Sequence, residues 1–346
     1  MTVFTDKSTI NYMKLPIPPK LSIIIPAYNA SLYVERCIRS ILSEMQRAKL
    51  SEEDIEIIVV DDCSTDMTFS ILENLKSDVV SNLVVLRHDI NKQQGAARNT
   101  GLNAAIGQYV WFVDVDDSLG ESILCQLESE ELKMMPDIFQ FHAAAILPNN
   151  TVAIEPYWKD TIGPMSGIKF LEFEAYHAYN NRIRASWSKW YKRDYLIKNK
   201  LFYQEGVYWE DVVHTLKCIY LANSVVYKPI IGYNYIHTPN SDMRGRQSGK
   251  KYADTIRFCA ESSKFLIESS ASSEIIESMR PYYAKVLRKY QRNLGQLTIE
   301  EFKRFCQIVS EIDLTYISKF LNTNEHDWLL DIMAMNKLWI SQNNEN

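Results

Sequence analysis

Nowhere in the 346 residues is there a run of about 18 consecutive apolar residues. The opening stretch MTVFTDKSTINYMKLPIPPK also lacks an apolar core of signal-peptide length. Neither a membrane-spanning helix nor a secretory leader is expected, so the chain is expected in the cytoplasm, at most at the inner face of the membrane. The six cysteines, Cys37, Cys63, Cys125, Cys218, Cys259 and Cys306, form no C-x-x-C pair and no zinc-like spacing. That scatter predicts free thiols in a reducing compartment. Positive charge is not in excess: the formal net charge is −5, which argues against nucleic acid as a partner. No internal repeat is evident. Between the first apolar strand and the helix after it stands Pro26-Ala27-Tyr28-Asn29-Ala30-Ser31, without the glycines that let a backbone approach a pyrophosphate. A nicotinamide cofactor is therefore not expected.

The hydrophobic share of 46% and charged share of 23% are those of a globular protein, and the length suits about two domains. Pro16, Pro18 and Pro19 make residues 1–20 an arm. From Leu21 strands and helices alternate. LSIIIP reads as a strand, Leu32 to about Lys49 as a helix, and IEIIVVDD as a second strand. A helix capped by Ser64 or Thr65 runs to about Lys76, LVVLR is a third strand, and Gly95–Ala105 is helical despite Gly101. This alternation predicts an α/β fold with a parallel sheet and right-handed crossovers. Ile138–Ala145 and Thr151–Pro156 are expected to pair across Pro148-Asn149-Asn150, with helices near Gly167–Tyr179 and Trp209–Ala222 and a returning strand at Val225–Tyr235. Beyond about Lys250 the chain is expected to be mostly helical.

Gln108–Asp117, QYVWFVDVDD, is the centre of the pattern. Its aromatic and β-branched run reads as a strand buried on both faces, and it ends in carboxylates. Strand C-termini line the ligand crevice of open α/β sheets, so Asp114 and Asp116, on either side of Val115, are expected in a site. Two carboxylates so spaced suit a hard divalent cation that also holds a diphosphate. A charged turn is the plainer alternative. Tyr28 offers a ring for stacking on a nucleobase. Asp61 and Asp62 end the second strand in the same layer; Asp61 is assigned to the base, through a uracil N–H or a ribose hydroxyl. Asn91-Lys92-Gln93-Gln94-Gly95 brings a cation and a flexible backbone before a helix that carries Arg98. Lys92 and Arg98 face either phosphate or structural acids, and a solvated face is the plainer reading for Lys92.

SIIIPAYNA, VVDDCSTD, NKQQGAARNTGL and FVDVDD, in this order and spacing, resemble the family 2 glycosyltransferases of GT-A fold. The resemblance implies a mixed, Rossmann-like sheet flanked by helices over 21–245, with a nucleotide-binding half (21–117), an acceptor half (118–245) and a C-terminal helical extension (246–346). It implies an inverting transfer from a nucleotide diphosphate sugar, usually a UDP-sugar, with Mn²⁺ or Mg²⁺. By it, Pro26, Ala27, Tyr28, Asn29, Asp61, Asp62, Lys92, Gly95, Arg98, Asp114, Val115 and Asp116 bind the donor, and Asp116 is the first metal ligand.

Glu210-Asp211 opens an apolar helix and resembles the family's E-D motif. Asp211 is assigned as general base and Glu210 as its neighbour, tuning it or binding acceptor; helix-start acids are the alternative. SWSKWYKRDYL resembles a W-x-K-L-Y-K segment below the acceptor site, which implies acceptor contacts from Trp187 and Lys189, while Trp190 and Tyr191 are read as core; Trp209, beside Glu210, is a further acceptor candidate. YNYIHTPNSDM resembles a Y-R-x-R segment with Ile236 and His237 in place of the arginines. His237 is therefore a candidate for metal or phosphate, with Arg244 or Arg246 as the replacement charge. The other histidines, His88 among them, have no partner evident in the sequence. Met279–Asn293, basic and aromatic, is read either as a peripheral membrane contact or as a helix packed on the protein or on a second copy in a homo-oligomer. The implied function is hexosyl or N-acetylhexosaminyl transfer from a UDP-sugar to a hydroxyl of a glycan or lipid-linked acceptor in bacterial surface polysaccharide or lipooligosaccharide synthesis. The alternatives are an inactive sugar-nucleotide-binding scaffold or a sugar nucleotidyltransferase; the latter wants a glycine-rich basic loop that PAYNAS is not.

Overall fold

A computed structural model of the chain describes residues 17–80, 82–149, 151–154, 158–177, 185–238, 248–321 and, further on, 327–328, 330–331 and 334. Its first half alternates β1 (Leu21–Ala27), α1 (Val34–Ala48), β2 (Ile55–Asp61), α2 (Thr68–Asp78), β3 (Val84–Arg87), α3 (Gln93–Ala104) and β4 (Tyr109–Phe112). There follow β5 (Ser118–Leu119), α4 (Glu130–Lys133), β6 (Ile138–Ile146), β7 (Val152–Ile154), β8 (Ile162–Met165), α5 (Gly167–His177), β9 (Lys189–Lys192), α6 (Arg193–Lys198), α7 (Glu210–Leu221) and β10 (Val225–Ile236). Three helices follow: α8 (Gly249–Glu268), α9 (Ser273–Asn293) and α10 (Ile299–Ser310).

The ten strands form one sheet in the order β3-β2-β1-β4-β9-β6-β10-β5, with β7 on β6 and β8 on β10. The first four are parallel, as the alternation predicts. β9 then runs antiparallel to both β4 and β6, which makes the sheet mixed. The chain leaves β1 towards β2 and returns on its other side as β4, so the strand order reverses between β1 and β4. Carboxyl ends on either side of such a reversal frame a crevice.

Strand periodicity explains the two cores. Along β4, Val110 and Phe112 face one layer with Ile24, Leu216 and Tyr252, while Tyr109 and Trp111 face the other with Ile23, Ile38 and Leu124. Both faces are covered, and none of the four residues of β4 is more than 1% exposed. The C-terminal helices add Ile256, Leu287 and Phe305 to the first of these cores, so they extend the same apolar layer.

Several local expectations are met. β6 and β7 pair antiparallel, Ala144 opposite Ile154, although Asn150 and 155–156 of the expected hairpin lie outside the described residues. Trp190 and Tyr191 are fully buried. The helix after β2 departs from expectation. Its first residue is Thr68, whose N–H donates to Asp66 Oδ1 at 2.9 Å. Ser64 and Thr65 cannot cap it because both are bonded to Asn29 instead, Oγ of Ser64 at 2.9 Å and N–H of Thr65 at 2.9 Å.

Gly101 is mid-helix because α3 lies against β1: a Cβ there would stand 2.3 Å from Ile24 Cγ2. In Gly101→Ala the steric cost of about 1–3 kcal/mol exceeds the roughly 0.5–1 kcal/mol gained by replacing a helical glycine. The urea midpoint is expected to fall; an unchanged or raised midpoint would show that Ile24 has room to move.

Candidate active site

The strand ends open into a cleft of about 1990 Å³ lined by the β1 and β4 termini, the start of α7, the end of β10 and one face of α9. A small-molecule pocket is typically about 300–1,000 Å³. The cleft can hold two ligands side by side.

On the β1–β2 side, Tyr28 is 49% exposed and lines the cleft. Pro26, Ala27 and Asn29 line it beside Tyr28. Asn29 takes a left-handed φ of 47°, which asparagine tolerates, and its bonds to Ser64 and Thr65 tie the loops after β1 and β2 together. The two adjacent aspartates have different surroundings. Asp62 lines the cleft and accepts from the Lys92 N–H at 2.8 Å, with His88 Nδ1 at 2.7 Å; Thr100 Oγ1 lies 2.9 Å from the other ring nitrogen of His88. Asp61 is fully buried and paired with Arg87 at 3.0 Å. A buried carboxylate needs a counter-charge, and Arg87 supplies it. Asp61 is not among the lining residues; of the two acids it is Asp62, 3% exposed, that lines the cleft.

Two further donor-side expectations change. The exposed Lys92 contributes its backbone N–H to Asp62 and does not line the cleft. Gly95 permits close packing, since a Cβ would lie 2.6 Å from Gln204 O and 3.2 Å from Glu210 Cγ. It is buried and is not among the residues that line the cleft.

At the end of β4, Asp114, Val115 and Asp116 are half-buried and line the cleft. Arg98 faces acids: NH2 meets Asp114 Oδ1 at 2.8 Å, NH1 bonds Glu210 Oε1, and the guanidinium sits 5.2 Å from the Tyr203 ring centroid. One buried cation thus joins the carboxylate pair of β4 to the acidic pair of α7. Asp116 accepts from Thr238 Oγ1 at 3.1 Å, and burial followed by the Asp114 charge raises its carboxyl. The third acid, Asp117, is structural: fully buried, it accepts from Tyr233 OH and the Ile236 N–H, each at 2.7 Å. Tyr233 also accepts from the Asp114 N–H at 3.1 Å and stacks on Trp187 at 4.7 Å, so the acidic turn is fastened to β10.

On the far side, Trp209 precedes α7 with φ 64°, a left-handed conformation rare for a bulky residue. Glu210 and Asp211 then occupy the first helical turn, where the helix dipole favours acids. Burial, and after it the Glu210 charge, push the Asp211 carboxyl up to about 7. Burial also raises Glu210, against the pull of Arg98. Trp187 and Trp209 line the cleft, as does His237, whose ring lies 5.2 Å from that of Tyr235. Lys189 does not. It is fully buried, Nζ donating to Ala185 O at 2.9 Å and Ser188 Oγ at 3.1 Å, and burial pulls its ammonium down to about 7. Arg244 and Arg246 lie outside the described residues.

Sequence reasoning missed several contributors. His88 and Thr238 hold Asp62 and Asp116, and Arg36 donates to the Asp116 carbonyl. Lys251 of α8, 3% exposed, lies 5.5 Å from the Trp209 ring. No local pattern marks these residues, because each acts across a long sequence separation. Among the described residues no group of three or more His, Cys, Asp or Glu side chains is arranged to hold a metal ion, so Asp114, Asp116 and His237 share the cleft without forming a three-ligand set. No helix among them is long and apolar enough to cross a membrane.

The chain is 26% identical over 293 residues to the uncharacterized glycosyltransferase YibD of Escherichia coli (strain K12), a match covering 84% of this chain and 79% of that protein. It is 39% identical over 106 residues to the poly(ribitol-phosphate) beta-glucosyltransferase of Bacillus spizizenii, covering 30% of this chain and only 16% of that longer protein. The crystal structure of S. aureus TarS 1-349 in complex with UDP-GlcNAc superposes with a TM-score of 0.63 at 20% identity, over 90% of this chain and 83% of that one. This likeness is one of fold, the GT-A arrangement of a mixed sheet between helices. The model of Glycosyl transferase family 2 matches residues 22–198, just over half of the 346. The chain belongs to that family, and it is a transferase.

Proposed function

We propose that the cleft catalyses inverting transfer of a hexose or N-acetylhexosamine from a UDP-sugar to a hydroxyl of a glycan or lipid-linked acceptor, in the building of a bacterial surface polysaccharide or lipooligosaccharide. The observation that carries this reading is Arg98, which bonds Asp114 and Glu210 at once and so sets the carboxylate pair of β4 beside the acidic pair of α7.

Tyr28 stacks on the base, and Asp62, rather than the buried Asp61, accepts from the base or the ribose. Asp211 takes the proton of the acceptor hydroxyl. The hydroxyl oxygen bonds the anomeric carbon as the bond from that carbon to the diphosphate oxygen breaks, and the electron pair leaves with UDP. Attack from the opposite face turns an α-linked donor into a β-linked product. A general base acts best with its pKa near the working pH, and Asp211 is raised towards it. Glu210, held by Arg98, keeps the start of α7 in place and borders the acceptor.

Asp114 and Asp116 suit a hard cation: both are half-buried at the cleft, and burial followed by the Asp114 charge raises the Asp116 carboxyl. They would hold Mn²⁺ or Mg²⁺ together with donor oxygens, and the chemistry supplied there is neutralisation of the departing diphosphate. The test is transfer from a UDP-sugar with Mn²⁺ or with chelator. Wild type is expected to lose activity with chelator, and Asp116→Asn to have lost metal-dependent transfer already. An Asp116→Asn protein as active as wild type would contradict the assignment.

A further inference from the structure

The wall of the cleft formed by α9 has a chemistry that the transfer step does not use. Lys285, Arg288, Lys289 and Arg292 follow the spacing i, i+3, i+4, i+7, which puts them on one helical face. All four are exposed, and all four line the same cleft as Asp211. No acid occurs in the sequence between Glu277 and Glu300. In a chain of net charge −5 this is a local concentration of the opposite sign.

The other face of α9 decides what the stripe meets. Met279, Tyr283, Ala284 and Leu287 are buried, with the Tyr283 ring 5.5 Å from Phe320 and its hydroxyl donating to Ser262 Oγ at 2.7 Å. A helix that lies in a membrane interface must offer its apolar face to lipid. Here that face is already covered by α8 and the 317–320 turn, and the cations line the cleft.

We propose that the α9 stripe is an acceptor subsite for a phosphodiester-linked glycan or polyol chain, whose successive phosphates lie along the four cations while one of its hydroxyls reaches Asp211. The proposal rests on the transferase reading above. Seven residues of helix span about 10 Å, more than a single phosphate or diphosphate covers, so the stripe matches a repeating anion. Two of the four are arginines, which bind phosphate oxygens in a bidentate fork, and the lysines add point charge. The cations themselves take no proton and form no bond in the reaction.

The test is fluorescence anisotropy of labelled poly(glycerol phosphate) on the full chain, with saturating UDP and Mn²⁺ and with dextran of similar length as the neutral probe. Wild type is expected to bind the polyanion at least tenfold more tightly than dextran, and less tightly as salt rises. Lys285→Gln/Arg288→Gln/Lys289→Gln/Arg292→Gln is expected to lose that tenfold preference, and Lys289→Gln/Arg292→Gln to lose part of it. Lys303→Gln/Arg304→Gln, on exposed positions of α10 away from the cleft lining, is expected to keep it. Equal affinity of wild type for the two polymers, or of wild type and the fourfold variant for the polyanion, would overturn the proposal. So would binding confined to phosphatidylglycerol vesicles. The assay needs no turnover, so its failure is separable from failure of the transferase reading, which nucleotide release from a donor decides.

Discussion

In Asp211→Asn, kcat is expected to fall by about 10²–10⁴-fold while the calorimetric affinity for UDP stays at the wild-type value. The substitution keeps the size of the side chain and removes its charge and its ability to take a proton. The pH dependence carries the same assignment independently. Burial and the neighbouring Glu210 hold the Asp211 carboxyl up at about 7, far above an ordinary aspartate. A base must be ionised to act, so wild-type kcat/KM is expected to rise with pH through about 7 and to be lost below it. The residual activity of the asparagine variant is expected to lack that limb. If turnover and UDP affinity fell together, Asp211 would be a structural acid at the start of α7.

The largest effect on stability is expected from Arg98→Met. The Arg98 side chain is 3% exposed, and it separates Asp114 from Glu210, whose side chain is 9% exposed. Removing one partner of a buried ionic network costs about 3–5 kcal/mol, because the remaining charge is left without compensation. Methionine fills most of the volume, so the loss measured by denaturant is chiefly electrostatic. Its pH dependence has a definite sign. Burial already raises Glu210 above its unfolded value, and loss of Arg98 raises it further. A carboxyl so raised favours the folded state when protonated, so the variant's deficit is expected to shrink as pH falls and to grow as pH rises. Arg98→Met/Glu210→Gln is expected to recover part of the loss, as coupled neighbours do. A variant with wild-type stability would mean that water already reaches these acids.

The nucleotide half of the fold was legible because its signal is local. Apolar runs in β1, β2 and β4, broken before their ends only by Ser22 and Glu56, read as strands buried on both faces, and the abrupt acids after β4 lie at a strand end. The acidic pair opening α7 was visible for the same reason. What could not be read was the choice between neighbours. Asp61 and Asp62 are adjacent, and which one opens to the cleft depends on Arg87 and His88, contributed from β3 and the turn after it. Lys189 follows Trp187 by only two residues, yet Trp187 lies in the 3₁₀ turn 186–188 and stays at the cleft, while Lys189 opens β9 and is fully buried. Gly95, in the first turn of α3, packs on 203–204 and Glu210, more than 100 residues away in sequence. The basic run of α9 was conspicuous in the sequence, but its partner was not. Only the burial of Tyr283 and Leu287 shows that its cations belong to the cleft wall.

The most direct test of the donor site is nucleotide release from a panel of UDP-, GDP- and dTDP-sugars, with Mn²⁺ or chelator and no acceptor, paired with calorimetric titration of UDP. Slow, chelator-sensitive release from one UDP-sugar, together with UDP binding that weakens in Asp62→Asn, is the expected result. No release from any donor and no heat of UDP binding would contradict the assignment of this cleft to sugar transfer.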